Sequence, residues 1–538
     1  MTVLQNEPAT APPLAPAPTP TSGLSRRGVL GLGATLLAGI GVTGCTTTDV
    51  SGSTASTGLA SPAVRTAASR RSAVDELRRS IKGSVLIPGD ASYDAASAAR
   101  NGRYLNLKPA VVAQVTDAQD VVNVLAWGQN NGMAPVVRGG GHSYAGLSST
   151  TGLILDVSRL NTVQIDTKAG TAVMGGAALN RDIFTASENG QWLLPGGTCG
   201  LVALGGLTLG GGIGYHTHWA GLTSDHLTST RMVTASGDLL DVDAKNHPDL
   251  FWALRGGAGG NFGVNVSFTF DLAEIPRANS VFFKLTWRGA DAATAMLTAV
   301  DTLVQNAPAE LNLSSMAQAA PVGAGGPREA IDVLARGHFL GTEADLRDLL
   351  APLLAISGAT ETTIVDQPFW TTAKTFLSNE ATSHSWGDIS RFTDRPVPSD
   401  AYARLVELLV TCPSRTPETN GAIWSLGWVG GSVVDRFKPT ETAYVHRGMK
   451  TLLRPTPVWR NEDAPSVGND MMGWTLDATA VIDPHVPGNS YQNFPNRFLD
   501  GWQHAYYGKN WDRLVDVKTT YDPRNAFTNV QGIPPRLA

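Results

Sequence analysis

From residue 73 onward the chain alternates between apolar stretches at helical spacing and shorter apolar blocks, each punctuated by glycine. Asp117 to Asn131 carries Val121, Val124 and Leu125 on one helical face, with Asp117 as its N-cap and Gly132 as its stop. Ala134–Val137 then predicts a short buried strand feeding a glycine loop. Leu153–Val157, Val163–Ile165 and Ala172–Gly175 predict further strands, and Leu179–Glu188 an amphipathic helix. Leu250–Leu254 reads as an apolar helix ended by glycines. Ile423–Val429 alternates as a strand does, Gly430-Gly431 suits a turn, and Leu408–Val410 before Cys412-Pro413 suits the end of a core helix. Val322–Gly326 reads as a surface loop. The order is α+β, not the regular βαβ alternation of a doubly wound sheet.

The first seventy residues lack this pattern. Residues 1–24 are rich in Pro, Ala and Thr, a composition that cannot build a core. Ser25-Arg26-Arg27 then precedes the apolar stretch Gly28–Gly44, which predicts a twin-arginine (Tat) export signal. It ends Val42-Thr43-Gly44-Cys45, so that Cys45 is expected to be lipidated, against the alternatives of ordinary cleavage or an uncleaved anchor. Thr46 to Ala68 has the Ser/Thr/Gly composition of a flexible tether. Export would place the protein in the cell envelope as a lipoprotein, or outside the cell.

Composition narrows the chemistry. A net charge of −5 without a basic stripe disfavours nucleic acid as a partner. Beyond Cys45 only Cys199 and Cys412 remain, too few for a disulfide scaffold, although one disulfide or two buried thiols are both open. His216, His218 and His226 lack a nearby Cys or Glu to complete a zinc site, so no metal is expected.

Two stretches carry the candidate chemistry. Val136–Ser143 (VVRGGGHS) sets Arg138, Gly139, Gly140, Gly141, His142 and Ser143 directly after an apolar run. Gly196–Gly214 (GGTCGLVALGGLTLGGGIG) sets Cys199 ahead of a glycine series. Glycines allow backbone N–H groups to close on an anionic ligand such as a pyrophosphate, and a His and a Cys beside them are groups able to bond a cofactor. A third stretch, Asp249–Val264 (DLFWALRGGAGGNFGV), brings Gly260, Asn261 and Val264. No Walker-type G-x-x-x-x-G-K-[ST] occurs, and the G-x-G-x-x-G at Gly39, Gly41 and Gly44 lies within the export signal.

In that order the three stretches resemble the flavin-anchoring segments of the berberine bridge enzyme-like FAD-linked oxidases, with Ala258 in place of one family glycine. The C-terminus is similar as well: Tyr506-Tyr-Gly-Lys-Asn510, Lys518, Tyr521 to Phe527, and Gln531-Gly-Ile-Pro-Pro535, where Gly532 replaces a more frequent Ser. The resemblance implies a vanillyl-alcohol oxidase-type FAD-binding domain of two subdomains, over residues 73–276 and completed by 489–538. It also implies a substrate domain over 277–488, with an antiparallel sheet backed by helices, and a family strand at Ala443–Arg447. Export signal and tether would occupy 1–45 and 46–72.

The resemblance further implies FAD tethered covalently through His142 and Cys199. Arg138, Gly139, Gly140, Gly141, Ser143, Val202, Gly205, Gly206, Gly212, Gly260, Asn261, Val264, Asn493 and Asn510 would contact the cofactor. Tyr491, in Tyr491-Gln-Asn493, would take a hydroxyl proton while a hydride passes to flavin N5; nothing in the sequence identifies what supports it as a base. Val202 stands where a small residue admits O2, implying hydrogen peroxide as co-product. The substrates implied are alcohols, oligosaccharides or bulky natural products. A dehydrogenase with another electron acceptor, and a tethered flavin-containing binding or sensing protein, are the alternatives.

Overall fold

The computed structural model describes residues 67–377, 384–427 and 429–536. The twin arginines, Cys45 and nearly all of the tether lie outside the described residues.

The helix expected behind Asp117 runs Ala118–Asn130. The Asp117 carboxylate accepts the Asp120 N–H at its start, and Gly132 turns the chain away at φ +65°. This helix carries the chain from the strand Val111–Gln114 to the parallel strand Pro135–Arg138. Leu153–Asp156 enters between the two, parallel to both, and Ser84–Leu86 adds an antiparallel edge. The first lobe therefore does contain a helical crossover between parallel strands, whereas its second sheet is antiparallel throughout. Five antiparallel strands follow in the order Val163–Asp166, Thr171–Gly175, Val264–Asp271, Leu227–Val233, Leu239–Asp243. Two cores fill this half. One packs Val121, Val124 and Leu125 against Leu153 and Leu155, and the other surrounds Phe268, Phe270 and Trp252.

From Asn279 to Trp459 the chain builds one antiparallel sheet. Its main path runs Glu361–Pro368, Asn279–Arg288, Ile331–Phe339, Leu311–Ala319, Asn420–Leu426, Thr451–Trp459, Ser385–Trp386. The two faces differ as strand alternation requires. Val281, Phe283, Leu285, Val333, Ala335, Leu313, Ala317, Ile423 and Leu453 are buried against the helices Ala290–Val304, Ser399–Val410 and Pro465–Ile482. The alternate positions Lys284, Leu334, Arg336, Met316, Gln318, Trp424 and Arg454 are only half-buried, and the helices leave that face open. Val322 lies in an exposed loop between two of these strands.

One expected strand is absent. Ala443–Arg447 runs without a ladder, because its polar groups are taken by segments from elsewhere in the chain. The N–H groups of Ala443 and Tyr444 go to Trp252 O and Arg255 O, and Arg447 forms a fully buried pair with Asp225. Cys199 and Cys412 are free thiols, and Cys412 lies just beyond the helix end at Val410.

Candidate active site

The two anchor loops are packed together by their glycines. A Cβ on Gly140 would stand 2.8 Å from Leu201 O and 2.9 Å from Ala203 N, and one on Gly139 would stand 3.2 Å from the Ala203 methyl. Only glycine allows the His142 loop to lie this close to the segment after Cys199. Gly141, at φ +70°, turns the chain toward His142. The His142 ring lies 5.7 Å from that of Trp386, at one edge of the large sheet. The Cys199 carbonyl accepts from Asn180 Nδ2 at 2.9 Å and from the Val202 N–H, which fixes the turn that carries the thiol.

Gly206 and Gly260 have another character. Gly206 is exposed amid buried neighbours, and a Cβ at either position would meet nothing within 4 Å. Gly206 lies against Gly259, whose own Cβ direction meets the Gly206 Cα and the Leu209 side chain at 3.7 Å, so the cleft that Gly206 and Gly260 face lies beside this contact. Gly205, by contrast, is a tight packing position, its Cβ direction aimed at Gly176 O.

Tyr491 is 1% exposed, and three donors converge on its oxygen. The N–H groups of Gly212 and Ile213 reach it at 3.0 and 3.3 Å, and Asn493 Nδ2 at 3.1 Å. Gly211 and Gly212, at φ +113° and +86°, turn those successive N–H groups inward. The second Asn493 Nδ2 hydrogen goes to Leu207 O at 2.9 Å, which sets the orientation of the amide. Three donors around one phenol oxygen suit the phenolate better than the phenol, which has its own proton to place. Burial opposes this and pushes the Tyr491 pKa up to about 12, while the three hydrogen bonds pull it down. The partner that the sequence left unidentified is thus largely backbone.

Several cofactor candidates are occupied within the protein. The Arg138 guanidinium is buried among the carbonyls of Ala96, Ser97, Ala98 and Ser148 and holds its loop in place. Ser143 Oγ caps the next turn by accepting the Leu147 N–H. Asn261 donates to Gly257 O and accepts from the Ile533 N–H, while Lys518 Nζ donates to its carbonyl. Asn510 Nδ2 donates to Pro439 O and Thr442 O. Val264 begins a core strand, and Val202 is half-buried beside the Cys199 turn. His218 and His226 direct ring nitrogens at carbonyls of Leu311, Asp271 and Ala220.

The sheet supplies residues that no motif marked. Arg454, on the open face, binds Asp388 and donates to Tyr144 Oη at 3.1 Å. Its guanidinium carbon lies 3.8 Å from the centre of the Phe494 ring, which in turn meets Tyr491 edge-on. The open face of the sheet therefore lies toward the His142 loop and Tyr491.

Backbone left open at Gly206 and Gly260 suits a dinucleotide, and Gly206 lies within one of the two segments that family models match. Residues 109–243 match an FAD binding domain, and residues 490–534 match the berberine and berberine-like segment. The uncharacterized FAD-linked oxidoreductase YgaK of Bacillus subtilis is 30% identical over 466 residues, covering 85% of this chain and 97% of the relative.

The chain belongs to the berberine bridge enzyme-like FAD-linked oxidases.

This family member is an FAD-dependent oxidase with the corresponding α+β fold. Its sequence is also 27% identical to a glucooligosaccharide oxidase of Sarocladium strictum, over 81% of this chain and 90% of that one. Among solved structures, a chitooligosaccharide oxidase superposes with a TM-score of 0.75 at 25% identity, over 86% of this chain and all (100%) of that one. Berberine bridge enzyme from Eschscholzia californica shares the fold, with a TM-score of 0.75 at 23% identity, over 87% of this chain and 99% of that one.

Proposed function

We propose that this oxidase carries FAD bonded to both His142 and Cys199. We propose also that it oxidises the CH–OH carbon of a sugar or another alcohol, with O2 reduced to H2O2. The observation that carries the reading is the cup of three N–H donors around Tyr491 Oη, on the side where the open sheet face meets the two anchor loops. Bound FAD supplies the two-electron acceptor. The protein supplies the base and the positioning: phenolate Tyr491 takes the proton of a substrate hydroxyl, and the burial that raises its pKa makes it a strong base once ionised. The names of the glucooligosaccharide and chitooligosaccharide oxidases support carbohydrate as the substrate class.

The test is the absorbance spectrum and intact mass of the mature protein after acid precipitation, beside His142→Ala, Cys199→Ala and the double variant. One FAD retained by the wild type and by each single variant, and lost only from the double, is the expected result. Flavin released from the wild type overturns the covalent reading. Export through Arg26-Arg27 with lipid on Cys45 belongs to the same proposal, supported by the sequence pattern. It requires a mature N-terminus at Cys45 that shifts in Cys45→Ala.

A further inference from the structure

The open sheet face carries four cations, and three of them are neutralised. Lys284 pairs with Glu361, Arg288 with Asp332 and Arg454 with Asp388. Arg336 is different. Among the described residues no carboxylate lies within ion-pair distance of it, and its buried Nε has no hydrogen-bond partner. Its one hydrogen bond runs from Nη2 to Tyr215 Oη at 2.8 Å.

The surroundings make this costly. The Arg336 guanidinium carbon lies 5.6 Å from the centre of the Tyr215 ring and 5.7 Å from that of Phe376, and the two rings stack on each other at 4.6 Å. Aromatic faces stabilise a cation in part but strip it of water. Nearby, His338 is buried and is held neutral, its pKa lowered to about 4 by burial, so it adds no second cation. A half-buried guanidinium whose Nε is buried without a partner, with no anion beside it, has a donor left to satisfy that an arriving anion would engage.

Position says which anion. Arg336 lies in the middle of the sheet, directly across from Ser314, on the same open face as Trp424 and Arg454. Its hydrogen-bond partner Tyr215 closes the glycine segment that holds Cys199 and the two N–H donors of Tyr491. The pyrophosphate-suited cleft at Gly206 and Gly260 is lined by neither residue. We infer that Arg336 is a specificity residue that binds a carboxylate of the substrate, so that this oxidase prefers an acidic sugar or hydroxy acid to its neutral counterpart. The planar guanidinium suits a carboxylate geometrically, as two N–H donors meet two oxygens. This rests on the proposed reading of the open face as the substrate floor.

The test measures binding without turnover. Glucuronate and galacturonate are titrated by calorimetry into anaerobic holoenzyme whose flavin has first been reduced with dithionite, beside their methyl esters and the parent hexoses. Wild type is expected to bind at least one uronate about tenfold or more tightly than its methyl ester, the order set by one charge-assisted contact. Arg336→Gln should abolish that ratio and Arg336→Lys should keep part of it, each with wild-type melting and flavin content. Equal affinity of wild type for uronates and esters overturns the inference, as does an undiminished ratio in Arg336→Gln. A changed flavin midpoint potential in Arg336→Gln with the ratio intact would assign the guanidinium to the cofactor and sink the proposal. Uronate preference in a protein that never reduces its flavin would leave the anion site standing and overturn the oxidation reading alone.

Discussion

Tyr491 concentrates the chemistry in one oxygen atom, and its environment predicts two separable effects. Tyr491→Phe removes the base while leaving the ring contacts to Phe494 and Tyr444 in place. The rate of substrate-dependent flavin bleaching should fall by about 100- to 10,000-fold, the usual contribution of a positioned base. Stopped-flow absorbance under anaerobic conditions reads it directly. Asn493→Ala removes one of the three donors that favour phenolate, so the pKa should rise further above about 12. The bleaching rate then climbs with pH along a limb displaced to more alkaline values than in wild type. An unmoved limb would mean that Tyr491 is not the group titrating.

At the scale of elements, the glycines divide into those that pack protein and those that leave room. Gly140 faces the Leu201 carbonyl and the Ala203 N–H, so Gly140→Val must push the two anchor loops apart. Intact mass is expected to show loss of covalent flavin, and the melting temperature a fall. Gly206→Val makes the opposite prediction. Nothing lies within 4 Å of its Cβ direction, so the apoprotein should melt as wild type does while flavin incorporation drops. If apoprotein stability falls as much as flavin content, the cleft is not the space for the dinucleotide. The two substitutions look equivalent in sequence, since both replace a glycine within a glycine run.

Across the whole molecule, buried neutral histidines tie stability to pH. Burial lowers the pKa of His338 to about 4 and that of His446 to about 3. Both lie below the ordinary histidine value, so their neutral forms stabilise the fold above pH about 6.5, and that contribution disappears as pH falls through the folded-state values. At about 1.4 kcal/mol per pKa unit, the shifts are worth roughly 3 to 5 kcal/mol each, the larger for His446. Thermal melts between pH 7 and pH 4 should show a steep loss, shallower in His338→Asn. The C-terminus is bound by a comparable device. Lys518 Nζ, fully buried, joins Asp522, Phe527 O and Asn261 O, linking the last helix to the third glycine stretch. Lys518→Met leaves the Asp522 carboxylate buried without its cation and should cost about 3–5 kcal/mol in a denaturant titration.

Much of this was legible in the chain. The helix behind Asp117, the strands around it and the helix from Asn180 follow from local periodicity and caps, which act over a few residues. Motif order was enough to place the chain in its family and to single out the three glycine stretches and Tyr491. Ala443–Arg447 misled because its apolar side chains resemble those of a strand, whereas its backbone groups are claimed by Trp252 and Arg255, far away in sequence. Arg138, Asn261 and Asn510 have partners of the same long-range kind, since Arg138 and Asn510 donate to protein carbonyls that only folding brings near and Asn261 accepts from the Ile533 N–H. Two of the three donors to Tyr491 belong to backbone nearly three hundred positions earlier, and backbone N–H groups leave no mark on residue identity. Sequence alone determined which side chains and glycines are present, because covalent order and local sterics are written residue by residue. Which glycine packs and which leaves space, which arginine is neutralised and which stands without an acid, were decided by the tertiary structure, because desolvation and pairing depend on neighbours brought together from distant parts of the chain.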